Sequence, residues 1–565
     1  MKTPSENPAA PVLSFADLSV TFDTEFGDVD AVKKLSLDVK PGEVVALVGE
    51  SGSGKSVTST AAMGLLPHNA HITGAASVGE SNVVGLPEEQ VRRLRATNVA
   101  MVFQEPMTAL NPVLSVERQM TEALELHDLA YGQDAVDRAV ELLEQVGIPD
   151  PKRRIKQYPH QFSGGQRQRI VIAMAISCNP DIIIADEPTT ALDVTVQAEI
   201  LDLLRRLKDD LGTGILLITH NMGVVADMAD RVAVMFRGDL VETGTVEDVL
   251  TKPQHPYTQK LLEAVPRLRH ADEALASAGR SGAAEADRRL VLEAKNLVLE
   301  YDMRGHKFRA VEDVSFDVAS NEILGIVGES GSGKSTIAKA VLGLLPVASG
   351  TLSVQGEDLV TLPPKKAKAV RRRIGVVFQD PAASLNPRFP IGDCITEPMV
   401  IHRVGTRKER LDRAAELLDA VRLPRTVLNR YPHELSGGQR QRISIARALT
   451  LKPELLIADE PTSALDVSVQ ASVLEMIAEL QAEYEFACLF VSHDLAVVDL
   501  LAHHVVVMKD GRTVEQGPTS TVLHAPQEDY TKRLLAAAPV PHPGEQRDRR
   551  EARRKLLREQ GLRID

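Results

Sequence analysis

Short runs of apolar residues, each ended by a glycine or a polar residue, recur along the chain. Residues 44–49 read VVALVG, and residues 323–328 read ILGIVG. Runs of this length between such residues are typical of buried β-strands. Four more runs have the same form but end in an acid or a histidine: IIIADE (182–187), ILLITH (215–220), LLIADE (455–460) and CLFVSH (488–493). Strands with polar residues at their carboxyl ends predict an α/β fold, in which helices cover both faces of a mostly parallel sheet.

Several longer strings occur twice in the chain, in the same order. GESGSGKS begins at Gly49 and again at Gly328. VFQ, SGGQRQRI, ADEPT and a TH or SH pair also recur, at the matched positions Gln104 and Gln379, Ser163 and Ser436, Ala185 and Ala458, and His220 and His493. The last three pairs have the same separation along the chain. A repeat of this length is a whole domain rather than one unit of a solenoid. The sequence therefore predicts two copies of one large domain.

The predicted boundaries follow from where the matched strings begin and end. Residues 266–288 are rich in Ala, Gly and charge, lack an apolar stripe and have the composition of a linker. From Arg547 onward the chain has eight Lys or Arg and four Asp or Glu, which indicates either a solvated helix or a contact with anionic lipid. We predict a flexible N-terminus at 1–11, a first domain at 12–265, a linker at 266–289, a second domain at 290–540 and a basic tail at 541–565.

Composition and charge narrow the possible partners. With 65 Lys and Arg against 78 Asp and Glu, the net charge is −13, so nucleic acid is not an expected partner. No apolar run approaches the roughly 18 residues needed to cross a bilayer, and the N-terminus lacks the apolar stretch of a signal peptide. We therefore expect a soluble protein that reaches a membrane only through partners.

The cysteines predict neither disulfides nor a metal cluster. The chain has three of them, Cys178, Cys394 and Cys488, which lie far apart in the sequence. An odd, scattered set has no ligand spacing and no disulfide framework. We expect buried thiols in a reducing compartment.

Both glycine-rich loops fit the pattern GxxxxGK[ST], which binds the phosphates of a nucleotide. Glycines let several backbone N–H groups point at one phosphate chain, and the following helix presents its N-terminus to the same anion. The lysine reaches the terminal phosphates, and the hydroxyl after it ligates Mg²⁺. Two occurrences, each after an apolar strand, disfavour the alternative of a turn with a solvated lysine. The predicted binding residues are Gly49, Glu50, Ser51, Gly52, Ser53, Gly54, Lys55 and Ser56, and in the second copy Gly328, Glu329, Ser330, Gly331, Ser332, Gly333, Lys334, Ser335 and Thr336.

Acidic residues at two strand ends complete a candidate hydrolytic site in each copy. Asp186 and Asp459 end apolar strands, where a carboxylate holds the Mg²⁺ shell together with Ser56 or Ser335. The next residues, Glu187 and Glu460, are placed to polarise the attacking water. His220 and His493 end later strands and predict a γ-phosphate contact. The alternatives are solvated loop acids and structural histidines, and the matched placement in both copies disfavours them.

The string SGGQ carries a family resemblance. It is formed by Ser163, Gly164, Gly165 and Gln166 in the first copy and by Ser436, Gly437, Gly438 and Gln439 in the second. With the phosphate loops and the acids, it resembles the signature of the ATP-binding-cassette ATPases. The resemblance covers residues 12–265 and 290–540. Phe162 stands where the family usually has leucine, a change that keeps an apolar contact, whereas Leu435 keeps the usual residue.

The resemblance implies ATP hydrolysis with Mg²⁺ by two cassettes. Each would have a parallel-sheet core, an antiparallel β subdomain and a helical subdomain. Two cassettes of this family enclose two ATP molecules head to tail, so Lys55 would share a site with Ser436 and Lys334 would share one with Ser163. Both copies keep the full set of motifs, which predicts two competent sites.

Other positions match further motifs of the family. Gln104 and Gln379 match the Q-loop, which senses Mg²⁺ and the attacking water and touches the transport partner. Residues 191–193 and 464–466, which read ALD, match the D-loop. Phe22 and Tyr301 match the aromatic residue that stacks on adenine, with ordinary strand aromatics as the alternative.

Finer strings look like the importer branch for oligopeptides, dipeptides and nickel. They include FQEPMTALNP and FQDPAASLNP at the Q-loops, and YPHQFSGGQRQR and YPHELSGGQRQR at the signatures. HPYTQKLL (255–262) closes the first copy, and DYTKRLL is a partly matching string near the end of the second. This resemblance implies two integral membrane permease subunits, an extracytoplasmic solute-binding protein and a place at the cytoplasmic face of the cell membrane. The branch often carries an iron–sulfur centre beyond HPYT, but no cysteine lies between Cys178 and Cys394, so we predict no cluster.

Other functions of the family are disfavoured by the same strings. Tandem cassettes that act on ribosomes usually have a long, charged helical linker, whereas residues 266–288 are short and rich in Ala and Gly. DNA-repair cassettes insert long coils or zinc modules, which this sequence lacks. Import of another small solute, such as nickel or glutathione, stays open.

Overall fold

A computed structural model describes residues 10–25, 27–104, 106–190, 192–268, 288–303, 306–463 and 465–560. Most of the predicted linker and of the N-terminal segment lies outside the described residues, as do Ala191 and Ala464 of the two D-loop strings. The chain divides into two compact units, one of residues 1–265 with 539–565 and one of residues 266–538. The predicted tail at 541–565 is therefore counted with the first unit, although it follows the second along the chain.

Each unit contains ten strands among the described residues, in matching order. Those of the first unit are β1 (Leu13–Thr24), β2 (Gly27–Val39), β3 (Val44–Val48), β4 (Ala70–Val78), β5 (Ser81–Asn82), β6 (Val99–Val102), β7 (Ile182–Asp186), β8 (Gly214–Ile218), β9 (Arg231–Phe236) and β10 (Asp239–Thr245). Those of the second are β11 (Leu290–Met303), β12 (His306–Ala319), β13 (Ile323–Gly328), β14 (Val347–Val354), β15 (Glu357–Asp358), β16 (Ile374–Val377), β17 (Leu455–Asp459), β18 (Ala487–Val491), β19 (His504–Lys509) and β20 (Arg512–Pro518).

The strands form two sheets in each unit. In the first, β2-β1-β4-β5 is antiparallel, and the six-stranded sheet has the order β10-β9-β3-β8-β7-β6. Strands β3, β6, β7, β8 and β9 of that sheet run parallel, and β10 joins the edge antiparallel to β9. The second unit repeats both sheets, as β12-β11-β14-β15 and β16-β17-β18-β13-β19-β20. The predicted α/β class with a mostly parallel core and an antiparallel β subdomain is confirmed.

Helices cover the parallel sheets and form the helical subdomains. In the first unit they span Lys55–Ala62, Glu88–Leu94, Pro106–Ala109, Val116–Leu126, Gly132–Gln145, Pro151–Arg154, Gly164–Ala175, Val194–Leu211, Met222–Met228, Val246–Thr251, Pro256–Glu263 and Pro543–Glu559. In the second they span Lys334–Val341, Pro364–Arg371, Pro381–Ser384, Ile391–Ile401, Arg407–Ala420, Gly437–Leu449, Val467–Tyr484, Leu495–Leu501, Thr519–Val522 and Asp529–Ala537. Within the described part of the chain, no helix combines the length and apolar character needed to cross a membrane.

Burial on both faces explains why the central strands are apolar runs without alternation. Every residue of β3, β7 and β8 is buried, because the antiparallel sheet covers one side and helices cover the other. Where these strands end, the chain leaves the core and polar side chains follow. This places the candidate residues at the carboxyl edge of the parallel sheet, where ligands bind in open α/β folds.

The second unit holds a buried carboxylate that stabilises its sheets. Glu322, just before β13, accepts hydrogen bonds from Arg288 at 2.6 and 2.7 Å and from the Ala319 N–H at 2.7 Å. His504 Nδ1 lies 2.5 Å from it. Burial alone would raise the pKa of Glu322, but His504, Arg288 and the Ala319 N–H outweigh burial and lower the pKa to about 2.

We expect Glu322→Gln to lower the free energy of unfolding at pH 7 by about 3 kcal/mol. A carboxylate whose pKa is lowered in the folded state stabilises the protein fully above its unfolded pKa. The difference from wild type is therefore lost as the pH falls from about 4.3 towards 2. Urea unfolding at several pH values measures it, with Glu454→Gln, at a half-exposed ion pair, as the control. A difference that does not shrink below pH 4 would contradict this account.

Candidate functional site

The phosphate loops need glycine because the backbone curls tightly against neighbouring strands. Gly49 and Gly54 have φ values of 150° and 103°, in a region that side chains rarely adopt. A Cβ at Gly49 would collide with the Met235 carbonyl, and one at Gly54 would collide with the Ala31 carbonyl. Gly328 and Gly333 repeat this geometry. Both loops therefore hold a conformation that residues with a Cβ could not adopt at these positions without strain and collision.

The loop lysines are buried and held in place by the loops themselves. Lys55 Nζ donates to the carbonyls of Gly49 and Glu50 at 2.7 and 2.8 Å, and only 7% of Lys55 is exposed. Lys334 makes the same contacts to Gly328 and Glu329, both at 2.7 Å. An ammonium group fixed by its own loop is pre-positioned for an anion bound there.

Two tyrosines that the sequence reasoning missed brace the phosphate loops. The Tyr257 hydroxyl accepts a hydrogen bond from the Glu50 N–H at 3.1 Å, and the Tyr530 hydroxyl accepts one from the Glu329 N–H at 3.3 Å. Tyr257 belongs to the HPYT string, and Tyr530 holds the matching position in the DYT string of the second copy. The presence of a tyrosine at matching positions of both copies could have marked these residues as important, but nothing in the sequence showed that they reach the loops.

The structure brings together the predicted glutamine, glutamate and histidine of each copy. Glu187 Oε2 accepts from Gln104 Nε2 at 2.9 Å and from the Thr190 hydroxyl at 2.8 Å, and Glu187 Oε1 lies 2.9 Å from His220 Nδ1. Three motifs that lie far apart in the sequence therefore meet at one carboxylate. Thr190 was not predicted, although it directly follows the DEPT string.

The second copy has the same cluster with small differences. Glu460 Oε2 accepts from Gln379 Nε2 at 2.9 Å, and Glu460 Oε1 lies 3.3 Å from His493 Nδ1. Ser463, which replaces Thr190, donates to the Glu460 backbone carbonyl rather than to its carboxylate. The carboxylate therefore has one hydrogen-bond donor fewer among these partners than in the first copy.

Both glutamates have a backbone conformation that is unusual for residues other than glycine. The φ angles are +48° at Glu187 and +46° at Glu460. Such conformations cost about 1 to 3 kcal/mol and occur preferentially at functional sites. The turn aims each carboxylate from the end of its strand towards the glutamine and the histidine.

Neighbouring acids in each site have opposite pKa shifts. Burial, followed by the charge of Glu187, raises the pKa of Asp186 to about 6, despite a hydrogen bond from Ser56 and the charge of Lys55. Burial would raise the pKa of Glu187 as well, but His220, Thr190 and Lys55 outweigh it and lower the pKa. Burial likewise raises the pKa of Asp459, whereas His493 and Lys334 lower the pKa of Glu460 against burial. Each glutamate is thus ionised at neutral pH.

Oxygen ligands meet beside the phosphate loop. The Ser335 hydroxyl donates to Asp459 Oδ1 at 2.9 Å, and Ser56 hydrogen-bonds Asp186 in the same way. Gln104 and Gln379 use their amide nitrogens on the glutamates, which leaves their amide oxygens as possible ligands. Hydroxyl, carboxylate and amide oxygens are the donors that Mg²⁺ prefers, so the residues present fit this ion.

The two predicted adenine aromatics lie on matching strands but in different surroundings. Phe22 on β1 is half-buried and packs against the hydrophobic core, as does Val57 of the phosphate-loop helix. Tyr301 on β11 points its hydroxyl at the Thr336 hydroxyl, 3.4 Å away, at the equivalent place. Phe22 and Val57 thus stand in the first copy at the positions that match Tyr301 and Thr336. Adenine stacking by either residue remains a prediction.

The signature strings begin helices, and their serines cap them. The Ser163 hydroxyl accepts from the Gln166 N–H at 3.3 Å, while Gln166 Oε1 accepts from the Ser163 N–H at 3.2 Å. Ser436 and Gln439 form the same capping box. This reciprocal bonding explains why the string ends in glutamine. Phe162 is buried like Leu435, so the departure from the usual leucine preserves an apolar contact.

We expect Gly165→Ala to lower the free energy of unfolding by about 1 to 3 kcal/mol. A Cβ at Gly165 would lie 2.5 Å from Val196 Cγ1, on the helix Val194–Leu211. The added methyl group therefore forces the two helices apart. Thermal unfolding measures the loss, and adding Val196→Ala should restore most of it.

Gly164→Ala is the matched control for this prediction. A Cβ at Gly164 would meet only Leu192 Cδ2, at 4.0 Å, so we expect no loss of stability. Equal effects of the two substitutions would refute the packing explanation.

Comparison with known proteins identifies the families that the chain resembles. A family model described as "ABC transporter" matches residues 32–190 and 311–463. A second, "Oligopeptide/dipeptide transporter, C-terminal region", matches residues 241–288 and 514–561. Both models match once in each half, at the positions of the repeat.

Three curated relatives are similar over nearly their whole length. The "Peptidoglycan transport ATP-binding protein YejF" of Agrobacterium fabrum is 47% identical over 543 residues, which cover 94% of this chain and 97% of that protein. The "Glutathione import ATP-binding protein GsiA" of Salmonella choleraesuis is 46% identical, covering 95% of this chain and 91% of that protein. GsiA of Escherichia coli O157:H7 is 45% identical, covering 96% and 92%.

Proposed function

The chain belongs to the ATP-binding-cassette transporter family as a tandem ATPase, and from this premise we propose that it energises the import of peptides. One observation carries the proposal. The C-terminal region of oligopeptide and dipeptide transporters matches both halves, at 241–288 and 514–561. The match includes HPYTQKLL and DYTKRLL, whose tyrosines contact the phosphate loops.

The proposed partners are two integral membrane permease subunits and an extracytoplasmic solute-binding protein. The protein would lie at the cytoplasmic face of the cell membrane and reach it through the permeases. The relatives are named as ATP-binding proteins of transport systems, which supports membrane partners encoded by other genes.

We propose that each unit binds ATP with Mg²⁺ and hydrolyses it. Lys55 and Lys334 hold the terminal phosphates. Ser56 with Asp186, and Ser335 with Asp459, would hold Mg²⁺, which would supply positive charge to neutralise the charge that develops on these phosphates. Glu187 and Glu460 polarise the attacking water, because each is an oriented carboxylate that stays ionised. Gln104 and Gln379 orient these carboxylates through hydrogen bonds. His220 and His493 lie against the same carboxylates, and in this proposal they contact the γ-phosphate.

An uptake assay in cells tests the proposal. A deletion strain is complemented with the wild-type gene or with a gene that carries Glu187→Gln and Glu460→Gln. Labelled tri- and tetrapeptides are then supplied. We expect uptake to return only with the wild-type gene. Peptide uptake that is the same with and without the gene would overturn the proposed solute class.

Glutathione is a specific second candidate solute. Relatives with 45 to 46% identity are named for glutathione import, and glutathione is itself a tripeptide. Adding labelled glutathione and a labelled peptidoglycan fragment as separate arms of the same assay distinguishes the solutes. A strain that loses only glutathione uptake would favour this narrower function.

A further inference from the structure

The last helix of the chain packs on the first unit through buried charges. We call Pro543–Glu559 the C-terminal helix. Arg553, of which 9% is exposed, pairs with Asp202, and Arg550 Nη1 lies 3.5 Å from the Asp227 carboxylate. Gln546 Nε2 donates to Asp227 at 3.2 Å. The arginine-rich end of the sequence is therefore not a solvated tail along these positions.

The two aspartates belong to two helices of the first unit and are linked to each other. Asp202 lies on the helix Val194–Leu211, and Asp227 lies near the end of Met222–Met228, which we call the post-histidine helix. Arg205 bridges them, at 2.6 Å from Asp202 and 2.9 Å from Asp227. All three side chains are largely buried. Removing a partner from such a buried network leaves charges uncompensated, which costs more than losing a surface pair.

A second contact holds the other end of the post-histidine helix. Gly223 lies in its first turn, and a Cβ there would be 2.6 Å from the Pro539 side chain and 2.7 Å from the Pro539 carbonyl carbon. Gln546 also accepts from the Val540 N–H at 2.9 Å, which ties this segment to the C-terminal helix. Residues 539–550 thus contact both ends of the post-histidine helix.

The second unit lacks the residues that make these contacts. At the matching positions of the repeat, Asp227 is replaced by Leu500, Arg205 by Ala478 and Gly223 by Ala496. Leu500 is 53% exposed. Asp202 is replaced by Glu475, which pairs with Arg422 of its own unit at 3.1 Å. The docking residues are thus specific to the first copy.

The post-histidine helix fixes the position of His220. It begins two residues after His220, and the Asn221 side chain between them caps it by accepting from the N–H groups of Gly223 and Val224. His220 Nδ1 in turn lies 2.9 Å from Glu187. A shift of this helix therefore moves the imidazole relative to the catalytic carboxylate.

We propose that the C-terminal helix positions His220, so that ATP hydrolysis at the first phosphate loop depends on the far end of the chain. Arg550 and Arg553 are positioning residues in this account, because they act through the post-histidine helix and touch no reacting atom. The inference rests on the proposed function of the Glu187 and His220 site. It makes the two sites unequal, since among the described residues the second unit shows no matching contacts.

The test compares two double variants of the full chain. Arg550→Ala with Arg553→Ala removes the buried charges, and Arg547→Ala with Lys555→Ala removes two exposed charges of the same helix. Both are combined with Glu460→Gln, so that turnover reports the first site alone. We expect the first to lower kcat for ATP at least threefold with less than a twofold change in KM, because the phosphate loop and Lys55 are left unchanged. The second variant should match the Glu460→Gln parent. Arg550→Lys with Arg553→Lys should recover part of kcat.

Hydrogen exchange supplies a readout that does not depend on turnover. Amides of Met222–Met228 should exchange faster in the Arg550→Ala, Arg553→Ala variant, while those of Leu495–Leu501 should not change. If this variant fails to fold, Arg550→Ala alone carries the test, since it leaves the pair of Arg553 and Asp202 intact. A kcat equal to that of the Glu460→Gln parent, equal losses in both double variants, or unchanged exchange in Met222–Met228 would overturn the proposal.

The proposed hydrolytic site and the proposed positioning role of the C-terminal helix can be refuted independently. If Glu187→Gln with Glu460→Gln leaves turnover intact, the proposed hydrolytic site is wrong. If that change abolishes turnover while removal of Arg550 and Arg553 leaves kcat unaltered, only the positioning role is wrong.

Discussion

Replacing both Glu187 and Glu460 with glutamine should lower ATP turnover of the purified chain by at least about a hundredfold, a typical contribution of a general base. Glutamine keeps the size of the side chain but removes the negative charge that polarises water. The lowered pKa of each glutamate means that this charge is present at neutral pH. ATP should still bind, because neither glutamate belongs to the phosphate loop. Phosphate release and labelled-nucleotide titration measure the two properties.

The control for this experiment is a glutamate far from the site. Glu141→Gln removes an exposed carboxylate that pairs with Arg138 on the same helix, and turnover should stay within twofold of wild type. The single variants measure how much each site contributes. Turnover retained in the double variant would show that another group activates the water.

Replacing Lys55 and Lys334 with alanine should instead abolish tight nucleotide binding. Each ammonium is buried and held by two loop carbonyls, so it meets a bound phosphate with little reorganisation. A hydrogen bond to a charged group is worth about 1.5 to 3 kcal/mol, so the ATP dissociation constant should rise about 10- to 150-fold. Titration with a fluorescent ATP analogue measures this rise directly.

An exposed lysine near the same sheet gives the matched control for the lysine variants. Lys33→Ala removes a half-exposed side chain that pairs with Asp239 at 3.7 Å. Its affinity for ATP should equal that of wild type. If the double variant of Lys55 and Lys334 also binds ATP as wild type does, the lysines serve only to hold the loops. The glutamate and lysine variants together separate hydrolysis from binding.

The sequence predicted those parts of the site that belong to short sequence motifs. Gly49, Lys55 and Glu187 each stand beside an apolar strand, so strand pattern and motif together located them. The repeat then supported their spacing within the same chain. The α/β class was predicted from the apolar runs, because strands buried on both faces lack the alternation of apolar and polar residues.

Contacts between residues far apart in the chain could not be predicted in this way. Tyr257 reaches Glu50 across 207 residues, and Arg553 reaches Asp202 across 351. Neither pair has a local pattern, and a run of arginines in a helix has the same appearance whether water or buried aspartates surround it. The positive φ angle at Glu187 could not be predicted either, because a glutamate gives no sequence signal for a left-handed backbone conformation.

The C-terminal helix means that the two halves of the sequence are not separable building blocks. A cut within residues 269–287 would leave an N-terminal fragment whose surface around Asp202 and Asp227 has lost its cover. The other fragment would carry an arginine-rich segment made for that surface. Two such fragments could therefore associate as a split protein, because the C-terminal helix of one fragment would bind the exposed aspartates of the other.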